Sequence, residues 1–330
     1  MTSRKVAVIG GGSWATGIAK MLLGNLSHIH WYIYEKEIID HIKKHRRNPV
    51  YLSTIEFDPK KITFFNHLRD AIECSQVIIV VVPSVHIKPL FEKEKIDLSD
   101  KFLINASKGI IPGENISITE YFRKKYHVPE EKIGLISGPS HAEEIAMERI
   151  TYLTCAASSE KNAEKIASLI RQHYVKTVTS LDVTGIEYGA VMKNIYALAA
   201  GIAHGLGYGD NFTAVLIANA IREMERMLAK IFHHERRLFH SAYLGDLLVT
   251  AYSQFSRNRT FGMMIGKGYS VRAALVEMNQ VAEGYYATRC IHEINQQYKV
   301  NIPIAETVYN VLYKNSPAAK EFEMLCNTLK

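Results

Sequence analysis

One lysine stands in a helical pattern that is otherwise apolar. The segment 189–203 (GAVMKNIYALAAGIA) has Lys193 and Asn194 as its only strongly polar side chains. A helix that is apolar on all faces is usually buried, and burial disfavours the ammonium form, which lowers the pKa of a lysine. A lysine of this kind suits proton transfer near neutral pH. The alternative is that the Lys193 ammonium reaches solvent while its stem packs against the protein.

A glycine-rich turn near the start of the chain has the spacing of a dinucleotide site. The segment 10–15 (GGGSWA) matches G-x-G-x-x-G/A, with Gly10, Gly12 and Ala15 at the three small positions. Small residues there permit a tight turn, close approach of the backbone to a pyrophosphate, and close packing of helix on strand. The helix that follows points its positive dipole end at the phosphates. Because a strand pattern precedes the turn and a helix pattern follows it, we expect dinucleotide binding.

The choice between NAD and NADP depends on the end of the second predicted strand. An acid at that position would hold the ribose 2′-OH of NAD, and Glu35 lies close to the expected place. Lys36 is adjacent, and a cation there can accept the 2′-phosphate of NADP. The segment favours NAD and leaves NADP open. The alternative for Glu35 is a solvated loop acid.

Two polar turns follow predicted strands. Lys108 in the SKG motif comes directly after a strand pattern, where ligands of doubly wound folds bind, so it can meet an anion or a carbonyl oxygen. The alternative is a surface loop lysine. In the SGPS motif we expect Ser140 to be a helix N-cap, with Glu143 completing a capping box. Gly138 and Ser140 are also candidates for ligand contact.

Charged residues further along the chain indicate a buried ion pair and an anion site. Asp246 lies in an otherwise apolar stretch (AYLGDLLVTAY), so we expect a buried partner, and a lysine ammonium would serve. Arg257 and Asn258 offer a fork of donors that suits a phosphate group. The alternative for Arg257 is a surface salt bridge. The QVAEGY motif at 280–285 combines polar donors with a glycine at a predicted helix start.

Strand patterns alternate with helix patterns over roughly the first half of the chain. The strand patterns are rich in Val and Ile, which is typical of strands buried on both faces. Alternation of this kind predicts a parallel, doubly wound sheet. The predicted strands are 5–9, 29–34, 77–82, 102–106, 133–136 and 152–156, with helices at about 35–42, 68–74, 85–92 and 114–125.

Strand patterns stop near residue 180. Asp182 or Thr184 can cap a long helix that runs to about residue 204, and Asp210 with Asn211 can cap a second that runs to about 232. Further helix patterns follow at 240–252, 270–278, 283–298, 304–313 and 317–328. The sequence therefore predicts a dinucleotide-binding domain over 1–180 and an all-α substrate-binding and catalytic domain over 181–330.

Composition narrows the class of protein. The chain has 330 residues, 47% hydrophobic and 22% charged, which is typical of a globular protein and excludes collagen and disordered chains. Its four cysteines lack the spacing of a disulfide framework or a metal site, so we expect a reducing compartment and no metal. No secretory signal or membrane span is evident, and we expect a cytoplasmic protein. The net charge of +7 allows a nucleic acid, a membrane surface or small anions as partners.

The motifs and their order along the chain resemble those of the NAD(P)-dependent glycerol-3-phosphate dehydrogenases of the bacterial type. The resemblance extends from about residue 5 to about residue 315, and the motifs are specific as a set. The motifs that carry it are GGGSWATG, VVVPS, ASKG, SGPSHAEEIA, GAVMKNIYALAAGI, YLGDLLVT, SRNRTFG and QVAEGY.

The resemblance implies a Rossmann-like doubly wound sheet domain followed by a helical C-terminal domain. It implies the reversible reduction of dihydroxyacetone phosphate by NADH or NADPH to sn-glycerol 3-phosphate. Lys193 matches the family's catalytic proton donor and acceptor, with Lys108 and Asp246 as its active-site neighbours. Arg257 and Asn258 match the clamp for the substrate phosphate.

The resemblance also implies further contacts and partners. It implies a cytoplasmic homodimer that feeds glycerophospholipid synthesis, with no nucleic-acid partner and no integral membrane association. The predicted substrate contacts are Lys108, Gly138, Ser140, Lys193, Asn194, Asp246, Thr250, Ser256, Arg257 and Asn258. The predicted cofactor contacts are Gly10, Gly12, Ser13, Trp14, Tyr34, Glu35, Lys108, Ala142, Arg257, Val281 and Glu283.

Two positions depart from the family pattern. Trp14 replaces the smaller residue or the tyrosine that is often found in the turn, and the turn tolerates this because the position is not a required glycine. The segment 34–36 (YEK) differs from the basic residue that many members carry there, so the preference between NAD and NADP stays open.

Two other functions fit parts of the pattern. Hydroxyacid and ketopantoate-type reductases share the architecture and the helical lysine, but they act on carboxylate substrates. A dinucleotide-sensing regulator that binds nucleic acid would need an added helix-turn-helix or basic arm. Its candidates are KKHRR at 43–47 and RKK at 123–125, and such runs are more often solvated surface.

Overall fold

A computed structural model describes residues 5–278 and 282–330 of the chain. The chain forms two compact units. One contains the residues up to Ser107 together with Ile118–Val183, and the other contains Lys108–Ser117 together with Thr184–Lys330. The sequence placed the division after residue 180 and gave the segment Lys108–Ser117 to the first domain. The structure assigns that short segment to the second unit, because it leaves the sheet and pairs with itself as a hairpin.

The first unit contains an eight-stranded sheet with the order β10-β9-β8-β5-β4-β1-β2-β3. Strand β1 pairs with β2 on one side and with β4 on the other, so the strand order reverses direction at β1. Ligands of open α/β sheets bind outside the carboxyl ends of strands at such a point. The eight strands of this sheet are β1 (Val6–Ile9), β2 (Ile29–Tyr32), β3 (Ile62–Phe65), β4 (Val77–Val80), β5 (Phe102–Asn105), β8 (Ile133–Ser137), β9 (Thr151–Ala157) and β10 (Val175–Ser180). The hairpin outside it consists of β6 (Ile110–Ile111) and β7 (Ile116–Ser117).

The sheet is parallel except between β8 and β9, which are antiparallel. The prediction of a parallel sheet is therefore wrong for this pair. The helix between the two strands has five residues, Ala142–Ala146, and rises only about 7–8 Å. The five residues of β8 span about 16 Å, so this helix is too short to return the chain to the start of the strand.

The remaining strands of the sheet are parallel to their neighbours, and the central ones are fully buried. All four residues of β1 and of β4 are buried, as expected for Val- and Ile-rich runs that helices cover on both faces. Strands β3 and β10, which form the two edges of the sheet, were not predicted. Only the first residue of each is buried, so neither has the burial pattern of a central strand.

Among its described residues, the first unit has seven α-helices. Helix α1 packs on β1 and β2, and its Ile18 and Leu22 are fully buried in the core. Helix α7 begins after Ser159, whose side chain accepts a hydrogen bond from Asn162 N, and it was not predicted. The helices are α1 (Ser13–Leu23), α2 (Lys36–His45), α3 (Leu68–Glu73), α4 (Ser84–Glu92), α5 (Ile118–Tyr126), α6 (Ala142–Ala146) and α7 (Glu160–Ile170).

The second unit is helical apart from the hairpin of β6 and β7. A π-helix over Ser241–Gly245 leads directly into α10. In the described part of the chain, no helix is long and apolar enough to cross a membrane. The α-helices are α8 (Val183–Gly205), α9 (Asp210–Ile231), α10 (Asp246–Tyr252), α11 (Arg257–Gly266), α12 (Val271–Glu277), α13 (Glu283–Tyr298), α14 (Pro303–Tyr313) and α15 (Ala318–Cys326).

Candidate active site

Lys193 lies in the middle of α8, where every residue from 185 to 203 is buried. Its side chain is only 5% exposed, so the alternative in which the ammonium reaches solvent is wrong. Its Nζ donates hydrogen bonds to Asp246 Oδ1 and, at 2.9 Å, to Thr250 Oγ1. Asp246 and Thr250 lie one turn apart on α10, and the Thr250 hydroxyl donates to the Asp246 carbonyl. The buried partner expected for Asp246 is therefore Lys193.

A second lysine shares the same carboxylate. Lys108 Nζ lies 3.1 Å from Asp246 Oδ2, and the Lys108 side chain is 18% exposed. Lys108 is thus part of a buried ion-pair group and not a surface loop lysine. Two ammonium groups against one carboxylate leave an excess positive charge, which suits a site where negative charge develops.

The pKa of Lys193 is lowered below the ordinary lysine value. Loss of hydration on burial is the largest cause, the Asp246 carboxylate opposes it, and the Lys108 ammonium adds to the lowering. The direction agrees with the sequence prediction. A buried lysine with a lowered pKa exchanges its proton more readily near neutral pH than an exposed lysine does.

The hairpin of β6 and β7 carries Lys108, and it packs against α13. At its turn, Asn115 adopts a left-handed conformation with φ of 53°. Its Nδ2 donates to Glu293 Oε2 on α13 at 2.8 Å, and Glu293 also accepts from Arg289 Nε at 2.8 Å. This hairpin was not predicted, and the helix expected from residue 114 begins only at Ile118. The signal was present, because the polar residues 113–115 (GEN) separate two short apolar runs.

Helices α8 and α11 touch backbone to backbone. A Cβ atom added at Gly201 of α8 would lie 2.1 Å from the Arg259 carbonyl oxygen, and one added at Gly262 of α11 would lie 2.2 Å from the Leu198 carbonyl oxygen. No side chain fits at either position. The contact places the first turn of α11, which begins at Arg257, against the helix that carries Lys193.

The predicted phosphate clamp lies at the start of α11. Ser256 is the N-cap and accepts a hydrogen bond from the third helical residue at 3.3 Å. Asn258 is buried, and its Oδ1 accepts the backbone N–H of Gly284 at 2.9 Å in the first turn of α13. Gly284 also lies close to the Asn194 carbonyl oxygen, 2.6 Å from where a Cβ would be. Ser256, Asn258, Asn194 and the start of α13 therefore belong to one packed region.

The glycine turn of the first unit has room for a ligand at one position and none at another. Gly10 has φ of 134°, and a Cβ there would lie 2.4 Å from the Val81 carbonyl oxygen. Gly12 is the N-cap of α1, and a Cβ there would have no neighbour within 4 Å. Ser13 begins the helix, and Ala15 is fully buried. An open space at a helix N-terminus fits the pyrophosphate of a dinucleotide.

The side chains around the turn are held by local contacts. The Trp14 indole N–H donates to the Ala106 carbonyl at 3.0 Å, which ties α1 to the end of β5. Tyr34, just past β2, is 66% exposed, and Lys93 Nζ lies 5.9 Å from its ring centroid. Glu35 is exposed, and its Oε2 lies 3.6 Å from the Cβ position of Gly11. Glu35 thus lies beside the turn, where a dinucleotide ribose would be held.

The turn after β8 differs from its prediction. The N-cap of α6 is His141, whose side chain does not cap the helix, so the assignment of Ser140 as an N-cap paired with Glu143 is wrong. Ser140 Oγ instead donates to the Gly138 carbonyl at 3.0 Å. Gly138 has φ of 113°, and this left-handed residue redirects the chain before the helix can begin.

The structure places the predicted site residues in two groups, one in each unit. Val281 lies outside the described residues. In the described chain, no group of three or more His, Cys, Asp or Glu side chains is arranged to hold a metal ion. The first unit holds Gly10, Gly12, Ser13, Trp14, Tyr34, Glu35, Gly138, Ser140 and Ala142, and the second holds Lys108, Lys193, Asn194, Asp246, Thr250, Ser256, Arg257, Asn258 and Glu283.

Comparison with known proteins identifies the family. The family model for the N-terminus of NAD-dependent glycerol-3-phosphate dehydrogenase matches residues 5–163, and the model for its C-terminus matches residues 182–323. A glycerol-3-phosphate dehydrogenase (NAD(P)+) from Lactobacillus johnsonii is 34% identical over 328 residues, covering 97% of this chain and 96% of the relative. One from Bacillus cytotoxicus is 36% identical over 313 residues, covering 94% and 91%.

A solved structure agrees with these matches. The crystal structure of glycerol-3-phosphate dehydrogenase from Coxiella burnetii superimposes with a TM-score of 0.89 at 27% identity, covering 98% of this chain and 99% of that one. The predictions of a Rossmann-like fold with a helical C-terminal domain, and of an NAD(P)-dependent oxidoreductase, are confirmed. The chain belongs to the NAD-dependent glycerol-3-phosphate dehydrogenase family.

Proposed function

We propose that Lys193 is the proton donor and acceptor in the interconversion of dihydroxyacetone phosphate and sn-glycerol 3-phosphate. The observation that carries this assignment is the burial of Lys193 against Asp246, in a carboxylate shared with Lys108. The bound nicotinamide cofactor supplies or accepts the hydride at C2 of the substrate. In the reduction, the Lys193 ammonium hydrogen-bonds to the carbonyl oxygen and transfers its proton to it. In the oxidation, neutral Lys193 takes that proton back.

Lys108 and Asp246 set the charge around the reacting oxygen. Asp246 orients the Lys193 ammonium and opposes the lowering of its pKa. Thr250 gives Lys193 a second fixed partner at 2.9 Å, which limits the directions in which its third proton points. Lys108 brings a second positive charge that stabilises the developing oxyanion more than the neutral carbonyl.

Arg257 and Asn258 bind the phosphate of the substrate in this proposal. Arg257 begins a helix of ten residues, and helix N-termini attract anions. A phosphate far from the reacting carbon orients the carbonyl against Lys193. The further substrate contacts proposed are Gly138, Ser140, Asn194 and Ser256.

In this proposal the sheet unit supplies the turn for the dinucleotide, and the helical unit supplies Lys193 and the phosphate clamp. Gly10 and Gly12 shape the pyrophosphate turn, and the cofactor contacts also include Ser13, Trp14, Tyr34, Ala142, Val281 and Glu283. We assign a preference for NADH over NADPH to Glu35, because its carboxylate lies beside the turn and would repel a 2′-phosphate.

The central test is Lys193→Ala, with Lys320→Ala, an exposed lysine of the same unit, as the matched control. We expect kcat for dihydroxyacetone phosphate to fall by about 10²–10⁴ in Lys193→Ala, while the Kd for NADH measured by fluorescence stays within about twofold. The control should retain full activity. Undiminished turnover in Lys193→Ala contradicts the assignment, and turnover of 2-keto acids in place of the triose phosphate contradicts the substrate.

The proposal also covers the compartment, the oligomeric state and the partners of the enzyme. The enzyme is a cytoplasmic homodimer whose product feeds glycerophospholipid synthesis, without a nucleic-acid partner. Sedimentation equilibrium should give twice the chain mass of 37.3 kDa. A monomer across micromolar concentrations contradicts the dimer. Binding of duplex DNA at physiological salt contradicts the exclusion of nucleic acid.

A further inference from the structure

A second group of cations lies in the helical unit, on residues that the proposed reaction does not use. Arg222, Arg226 and Lys330 line a cavity of about 210 Å³. The rest of the lining is polar or neutral, and consists of Asn301, Pro303 and Thr328. An anion is the complement of such a lining, because the three side-chain charges exceed the single negative charge of a main-chain carboxylate at Lys330.

The lining residues are held in place by contacts outside the cavity. Arg222 and Arg226 lie four residues apart on α9, so their side chains project from the same face of the helix. Arg226 Nε donates to the Asn301 carbonyl at 3.0 Å. Lys330 is anchored through its backbone, because its N–H donates to Asn219 Oδ1 at 3.2 Å and its carbonyl accepts from Asn219 Nδ2 at 2.9 Å.

The three cations have no carboxylate partner at ion-pair distance among residues 5–278 and 282–330. Glu223, next to Arg222 in sequence, is fully buried. Its carboxylate accepts the backbone N–H groups of Ile304 at 2.8 Å and Ala305 at 3.0 Å, in the first turn of α14. The charge of Arg226 acts on Glu223 at longer range, so Glu223 does not neutralise Arg222.

We propose that this cavity is a second anion site, which binds a phosphate group separately from the clamp at Arg257. Arginine offers paired N–H donors that match a tetrahedral oxyanion, and the lysine adds a mobile point charge. The same chemistry accepts inorganic phosphate or the phosphate of a small metabolite. The site is independent of the proposed catalytic roles, because it shares no residue with them.

The test is calorimetric titration of the full chain with inorganic phosphate at low ionic strength. All proteins in the series carry Arg257→Ala, which weakens the substrate clamp. One adds Arg222→Ala and Lys330→Ala, both exposed positions, while Arg226 is kept because it supports the segment before α14. The matched control adds Arg272→Ala and Lys320→Ala, which removes two exposed cations elsewhere in the same unit.

We expect the parent, which carries Arg257→Ala alone, and the control to bind one phosphate per chain with equal affinity. The variant of the cavity should bind at least about tenfold more weakly, with an unchanged melting temperature. Equal affinity in all three proteins, or equal weakening in the cavity variant and the control, overturns the proposal. Binding of two phosphates by the Arg257→Ala parent would contradict the clamp at Arg257, while the cavity variant would still decide whether the second site exists.

Parallel titrations distinguish the source of the phosphate. The site is assigned to a phosphorylated metabolite if two results are found. Glycerol 3-phosphate binds the Arg257→Ala parent at least about tenfold more tightly than inorganic phosphate does, and this difference in affinity is lost in the cavity variant. Equal affinity for the two ligands, lost together in the cavity variant, assigns it to free phosphate.

Discussion

The Nζ atom of Lys108 lies 3.1 Å from Oδ2 of Asp246, across 138 positions in the sequence. The other oxygen of that carboxylate accepts from Lys193. One side chain therefore fixes two cations whose chain segments are far apart, and the nearby Lys108 ammonium contributes to the lowered pKa of Lys193. Substitutions at Asp246 test this coupling directly.

Asp246→Asn keeps the shape of the side chain and removes its charge. The carboxylate raises the pKa of Lys193 against burial, so its loss lowers that pKa further. Because the reduction needs the ammonium form, the alkaline limb of the kcat profile for dihydroxyacetone phosphate should move to lower pH. For the oxidation, which needs the neutral form, the acidic limb should move in the same direction. A shift of either limb to higher pH would contradict the assigned coupling.

Asn115→Ala tests whether the hairpin positions Lys108. Loss of the hydrogen bond to Glu293 should lower kcat by about 3–10-fold with little change in KM, since the bond orients a residue and does not touch substrate. If Asn115 acts through Lys108, adding Asn115→Ala to Lys108→Ala should cost nothing more. Additive losses in this double-mutant cycle would exclude the positioning role. Asn327→Ala, at an exposed asparagine of the same unit, is the control.

Gly262→Ala tests the contact between α8 and α11. The added methyl group would collide with the Leu198 carbonyl, so the helices must separate and we expect a loss of about 1–3 kcal/mol in the free energy of unfolding. Since α11 begins at Arg257, the KM for dihydroxyacetone phosphate should rise more than the KM for NADH. Gly209→Ala is the matched control, because a Cβ there meets nothing within 4 Å. An unchanged stability in Gly262→Ala would show that the helices do not touch.

Glu35→Gln tests the cofactor preference. Removing the negative charge beside the turn should lower the KM for NADPH by about 5–10-fold and raise the KM for NADH by a smaller factor. The KM values for the two cofactors should therefore become more similar. Glu37→Gln, an exposed acid in the first turn of α2, should leave the ratio unchanged. A wild-type enzyme that uses NADPH better than NADH would contradict the role of Glu35.

The sequence was informative where burial was complete. The run at 77–82 predicted a central strand, and the apolar pattern around Lys193 predicted a buried helix, because both elements are covered on all sides. The two edge strands, β3 and β10, were not predicted, because only the first residue of each is buried and neither has the long apolar run of a central strand. Helix α11 escaped because its first turn is the polar SRNR motif, which was interpreted as an anion site only.

Partners across long sequence separations were the least predictable part of the site. The sequence indicated that Asp246 needs a cation and that a lysine would serve, but the sharing of its carboxylate between Lys193 and Lys108 emerged only from the fold. Ser140 illustrates the reverse case. A capping-box spacing was present, yet the left-handed Gly138 turned the chain so that the Ser140 hydroxyl met a carbonyl before any helical N–H.

Gly10 and Gly12 both lack a side chain, but the space around each explains this in a different way. A methyl group at position 10 would collide with the Val81 carbonyl oxygen, whereas one at position 12 would collide only with a bound ligand. A substitution to alanine therefore tests a different property at each position. At Gly10 it tests whether the turn can fold, and at Gly12 it tests whether the folded turn can bind a ligand. Substitution of Gly10 is therefore limited by folding, and substitution of Gly12 by the space that the proposed cofactor needs.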